Sequence, residues 1–114
     1  MNKGIKKTVE VVFYKHANGG EPVKEWLLSL PRADRKTIGT DIKTAEFGWP
    51  VGMPLIRKLE PKLWEVRTDL DKRIARVLFT IKGKHMVLLH GFIKKSQNTP
   101  GDDKKLAINR MKKL

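Results

Sequence analysis

One stretch of this chain, LWEVRTDLDKRIARVLFTIKGKHMVLLHGFIKKSQNTP from Leu63 to Pro100, carries Arg67, Arg73, Arg76, His90, Lys94 and Lys95 along three strand-like runs. Several lie inside apolar runs with the look of strands, where an unneeded guanidinium is costly to place unless it reaches a cleft or a partner. Strands that pair with one another would gather these cations in one place. With one imidazole among them and no obvious partner carboxylates, such a site suits binding or cleaving a polyanion.

Other chemistries fit less well. His16, His85 and His90 are the only histidines and there is no cysteine, so neither a thiolate nucleophile nor a transition-metal site with ligand spacing is indicated. Asp69 and Asp71 at a hairpin end read as turn chemistry rather than as a divalent-cation pair. Gly19-Gly20 lacks the Lys-Ser/Thr of a phosphate-cradling loop, and no nucleotide-binding glycine pattern follows a strand. The expectation is a protein with no metal and no cofactor.

Strand alternation assigns the cations to faces. Glu65, Arg67 and Asp69 share one face of the first run, while on the next Ile74, Arg76 and Leu78 oppose Arg73, Ala75, Val77 and Phe79. Arg76, deeper in the apolar run, is the expected site residue, partly exposed on an open face, and Arg73 is peripheral. On the third run Met86, Leu88, His90 and Phe92 are expected on one face, with Gly91 marking a bulge or a close backbone approach. His90 reads either as a core histidine or, among cations that keep it neutral, as a base. Trp64, Phe79 and Phe92 read as core or as base-stacking rings.

These residues need elements to hold them. Thr8 to Tyr14 reads as a strand ended by Asn18-Gly19-Gly20. Val23, Trp26, Leu27 and Leu30 give the apolar face of a helix opened by Glu21-Pro22 and stopped by Pro31. A second helix runs from Arg32 to Phe47, with Ile38, Ile42 and Ala45 on one stripe and Gly48 as C-cap. The segment 49–59 carries two prolines and a glycine and reads as a loop. Leu63–Leu70, Lys72–Ile81 and Lys84–Ile93 then form an antiparallel meander, because their connections are too short for a parallel crossover. Thr99-x-x-Asp102 predicts a capping box opening a last helix. The fold class is α+β, one domain over 1–114, with two N-terminal helices packed on one sheet face and a short C-terminal helix.

Composition agrees. At 114 residues with 39% hydrophobic content the chain can build one core and no second domain. Its net charge of +13 is uneven: residues 57–114 hold sixteen Lys/Arg against six Asp/Glu, whereas residues 1–56 hold nine against six. The short apolar run after Lys6 and Lys7 is neither a signal peptide nor a membrane span, and with no disulfide framework a bacterial-type cytoplasmic setting fits best.

The runs LWEVR, RIARVLF and VLLHGFIKKSQNTP, together with this element order over nearly the whole chain, resemble the RelE/HigB toxin superfamily of toxin–antitoxin modules, in its phage-derived HigB-like branch. The resemblance implies a RelE-like fold and a ribosome-dependent endoribonuclease, an mRNA interferase, held inactive by a helix-turn-helix, HigA-like antitoxin. Arg67 and Arg76 match the family's strand arginines, and Lys94 and Lys95 its basic pair after the last strand. The catalytic set is then Arg67, Arg76, His90 and Lys94, and the RNA-binding set Lys62, Arg73, Phe92 and Lys95. Some relatives carry a catalytic tyrosine or histidine near the C-terminus, but this chain ends in RMKKL and its one tyrosine is Tyr14, so the base is open. ParE-like members of the superfamily poison DNA gyrase instead, and a non-catalytic RNA-binding module is the third reading.

Overall fold

In the computed structural model the described residues are 7–94 and 99–114. A five-stranded sheet runs in the order β1-β5-β4-β3-β2, built from β1 (Glu10–Phe13), β2 (Ile56–Glu60), β3 (Leu63–Leu70), β4 (Arg73–Lys82) and β5 (His85–Lys94). β3, β4 and β5 form the expected meander, and β1 adds to β5 in parallel. The turns have local causes. Asp71-Lys72 joins β3 to β4 with Lys72 at positive φ, and Gly83, at φ +59, supplies the left-handed residue between β4 and β5.

Helices α1 (Pro22–Ser29) and α2 (Arg32–Gly48) cover one face. Val23 from α1 and Ile38, Ile42 and Ala45 from α2 pack there on Val66, Ala75, Val77, Phe79, Met86 and Leu88. Trp26 of α1 presses so closely on β5 that a Cβ on Gly91 would lie 2.4 Å from its ring. Glycine here is required for the helix to seat, which is the close backbone approach anticipated at this position. Helix α3 (Gly101–Met111) packs on the opposite face, where Ala107 joins Leu63, Leu78, Val87, Leu89 and Phe92 in a second, smaller core. Among the described residues no helix is long and apolar enough to cross a membrane.

Four expectations are corrected. Ile56–Glu60, read as loop, is an edge strand: Pro50, Gly52 and Pro54 stop before it, and an edge strand needs to pair on one side only. The helix at Arg32 extends through Gly48, leaving Trp49 as its C-cap. The capping box does not form, because Pro100 is the N-cap of α3 and the Thr99 hydroxyl is engaged elsewhere. The alternation along β5 also breaks. Leu78 opposes His90 and Phe79 opposes Leu88, so Leu89 is an extra, bulged residue. Met86 and Leu88 therefore face the N-terminal helices, whereas His90 and Phe92 point to the other side.

Candidate nucleic-acid interface

The bulge makes the site. Because side chains alternate along each strand, the register aligns three rows on the α3 side of the sheet: Arg57, Glu65, Leu78 and His90; then Arg67, Arg76 and Phe92; then Asp69, Ile74 and Lys94. Without the extra residue at Leu89, His90 would lie among the α1 and α2 contacts. With it, the imidazole joins the arginines.

The centre of the site is a buried ionic pair. Glu65 and Arg76 are both fully buried, 0% exposed, with Arg76 Nη1 3.7 Å from Glu65 Oε2. The Thr99 hydroxyl bridges them, accepting from Arg76 Nη1 at 2.9 Å and donating to Glu65 Oε1 at 2.7 Å. Arg67, directly opposite Arg76 in the β3–β4 ladder, brings Nε to 3.8 Å from Glu65 Oε2. One carboxylate thus serves two guanidinium groups, and the excess charge is positive. Burial, and then the nearby Arg67 and Arg57, push the Arg76 pKa down, with Glu65 opposing. The group remains a cation, since arginine does not deprotonate in proteins.

His90 has its own carboxylate. Its Nε2 lies 2.6 Å from Asp103 Oδ1 at the start of α3, and its ring stacks on Phe92 at 5.5 Å between centroids. A neutral imidazole that donates Nε2–H to Asp103 keeps Nδ1 as its basic nitrogen. Lys104, one residue on, pairs with Glu60 at 3.0 Å and ties α3 to β2.

Arg67, Arg76, His90 and Lys94 are thus brought to one face, Lys94 at its exposed end. The expected partial exposure of Arg76 is wrong, because Thr99 and Glu65 close over it. The expectation of a site without partner carboxylates is wrong as well, given Glu65 and Asp103. Phe92 is 9% exposed and backs His90 rather than offering a free stacking platform. Trp64 and Phe79 stack on each other on the opposite face, so both belong to the core. Arg73 also lies on the helix side, where Asp34 of α2 accepts two hydrogen bonds from it at 3.1 Å; that bonding holds its pKa above the ordinary value. Lys62 occupies the β2–β3 turn at positive φ, exposed and beyond the Leu63 end of the face. Lys95 lies outside the described residues. Arg57, Glu65 as a partner, Thr99 as more than a helix-capping residue, and Asp103 were not expected at the site from sequence. Of these only Arg57 carried a signal, a cation set between the apolar pair Leu55-Ile56 and Leu59 shortly before LWEVR.

Among the described residues no cluster of three or more His, Asp or Glu side chains could hold a metal ion. The site offers cations, one His–Asp pair and a hydroxyl. Such a set can bind phosphate, stabilise added negative charge and move a proton.

The family described as phage derived protein Gp49-like (DUF891) matches residues 25–112, which span α1 from its first turn through the whole of α3. No curated protein matches the sequence.

Proposed function

The chain belongs to the phage-derived Gp49-like family, a toxin–antitoxin-associated family of RelE/HigB-like proteins, and from that premise we propose that it is a toxin that cleaves ribosome-bound mRNA without a metal. The observation that carries this reading is the convergence of Arg57, Arg67, Arg76 and the His90–Asp103 pair on one sheet face. In-line attack of a ribose 2′-hydroxyl on the adjacent phosphodiester gives a cyclic phosphate and a free 5′-hydroxyl. The 2′-hydroxyl proton passes to His90 Nδ1, with Asp103 orienting the ring and meeting the imidazolium charge, while the departing 5′-oxygen takes its proton from water.

Arg67, partly accessible, contacts the phosphate, and a preorganised donor at developing charge is worth about 3 kcal/mol. Buried Arg76 acts from behind: it holds Glu65 and Thr99 and adds to the positive potential. Arg57 and Lys94 extend the cationic track to either side. Arg73, bonded to Asp34 on the helix side, and Lys62, in the β2–β3 turn, take no part in this step. The partners implied are the ribosome, mRNA and a helix-turn-helix antitoxin.

Toeprinting on programmed ribosomes tests the proposal. Cleavage of mRNA in the decoding site is expected from the wild-type protein and not from Arg67→Ala. A stabilised gyrase–DNA cleavage complex with no RNA cleavage would instead select the gyrase-directed reading, and RNA binding with neither activity would leave a simple binding module.

A further inference from the structure

Of the six large apolar side chains exposed among the described residues, three lie within seven consecutive positions: Phe47 at 44%, Val51 at 36% and Met53 at 63%. They occupy the C-terminal end of α2 and the loop after it, on the sheet side away from the cationic face. Two depressions run between them. Thr40, Lys43, Thr44 and Phe47, at i, i+3, i+4 and i+7 on α2, line one of ≈ 530 Å³. Trp49, Val51, Met53, Lys58 and Trp64 line the other, of ≈ 360 Å³. They are neighbours along the chain: Gly48 lines the first, and a Cβ there would lie 3.7 Å from Val51 of the second.

The rim is cationic. Lys7 sits 5.3 Å from the Phe47 ring centre and Lys58 5.9 Å from that of Trp64, while Lys43 projects from the α2 stripe. Glu46, the nearest carboxylate on α2, is taken up by the Val11 amide at 2.8 Å and by Lys7. An apolar floor with a lysine rim fits an acidic segment that carries apolar anchors.

We propose that this double depression docks an acidic amphipathic helix of a partner protein. The inference rests on the toxin reading above, in which that partner is the antitoxin. A second copy of the chain is a poor occupant, because both surfaces would bring lysines and a net charge of +13. RNA is disfavoured as well. Trp49 packs edge-to-face on Trp64 and Phe79, so those rings are not free to stack, and Val51 and Met53 are aliphatic.

The test co-expresses the chain with the product of the adjacent reading frame and measures the purified complex. Phe47→Gln with Met53→Gln should weaken binding about 30-fold or more, mainly through faster dissociation. Lys43→Glu with Lys58→Glu should slow association and flatten its salt dependence. Leu28→Gln, exposed elsewhere on α1, serves as the control and should leave affinity unchanged. All variants should retain the wild-type thermal transition and mRNA cleavage. Unchanged affinity in both double variants would overturn the docking site while leaving the toxin reading intact. Loss of ribosome binding with partner binding retained would also overturn it, by assigning the surface to RNA. Failure of the wild-type chain to bind the neighbouring product would overturn the docking proposal together with its antitoxin premise, while the cleavage assay judges the nuclease reading on its own.

Discussion

Arg110 of α3 donates from Nη1 to the carbonyl oxygen of Leu89 at 2.7 Å, and Leu89 is the bulged residue that turns His90 toward the cationic face. A bulge leaves backbone groups outside the ladder, and here a guanidinium from another element takes one of them. The same guanidinium lies 5.7 Å from the Tyr14 ring centre, and its burial pushes its pKa down. Arg110→Ala is expected to cost about 1.5–3 kcal/mol, since a charge-assisted bond to a part-buried carbonyl is lost. Cleavage should fall further than stability explains, because His90 loses its aim. Arg110→Lys, which can still donate, should recover part of both. Equal losses in chemical denaturation and in single-turnover cleavage would separate Arg110 from the orientation of His90.

The Glu65–Arg76 pair makes a sharper claim about stability. Removing one member of a buried pair leaves the other charge uncompensated, so Glu65→Gln should destabilise by about 3–5 kcal/mol. Replacing both, as Glu65→Leu with Arg76→Met, should recover much of that loss, because apolar groups of similar size need no counterion. The double variant should nevertheless be inactive. Denaturant midpoints for Glu65→Leu, Arg76→Met and the double form the cycle, and additive losses would contradict the pairing.

Much of the fold was legible because it rests on periodicity. The apolar stripe Ile38, Ile42 and Ala45 set α2, and short turns set the meander. What escaped the sequence depends on contacts between segments. The bulge at Leu89 is stabilised from α3, so alternation along β5 alone grouped His90 and Phe92 with Met86 and Leu88, from which the bulge separates them. Glu65 and Arg76 lie on neighbouring strands, and their pairing, with Thr99 above, follows from register rather than from spacing. That is why Arg76 was expected to be partly exposed. β2 was missed because its five residues follow two prolines and a glycine, and only pairing with β3 makes them a strand.

The Trp26–Gly91 contact predicts the effect of a single methyl. At 2.4 Å from the ring a Cβ cannot be accommodated without moving α1, so Gly91→Ala should cost about 1–3 kcal/mol. Gly91→Ala with Trp26→Leu should recover part of the loss. Thermal denaturation of the three variants checks this, and a fully stable Gly91→Ala protein would contradict the packing.

Arg57 and Arg67 should differ from Arg76 in what they lose. Arg57, partly accessible on the flank, should leave stability within about 0.5 kcal/mol when replaced, as for surface changes away from packed features, whereas Arg67, whose side chain is 16% exposed and paired with buried Glu65, should cost about 1–3 kcal/mol. Arg57→Ala, on the flank, should weaken ribosome association and lower the dependence of log K on log salt by about one phosphate contact. Arg67→Ala, at the phosphate, should instead reduce the chemical step by about 10²–10³-fold. Binding across a salt series together with single-turnover cleavage separates the two effects, and equal kinetic defects would contradict the assignment of Arg67 to the reacting phosphate.

The His90–Asp103 pair carries the last prediction. At 2.6 Å from Nε2, the carboxylate fixes which imidazole nitrogen is free to accept a proton. Asp103→Asn preserves the shape and a hydrogen bond but presents an amide that can donate to Nε2. That would favour the other tautomer, with Nδ1 protonated and unable to act as base. His90→Ala removes the base altogether and should lower cleavage by about 10²–10⁴-fold, the usual range for a positioned acid or base. If His90 acts through Nδ1, Asp103→Asn should approach the same loss, and the double variant should be no worse than His90→Ala alone. Ribosome binding should be retained throughout, because neither group adds to the positive charge that holds the phosphates. Additive rate losses would mean that Asp103 works independently of His90, and full activity of His90→Ala would move the proton transfer to a lysine such as Lys94.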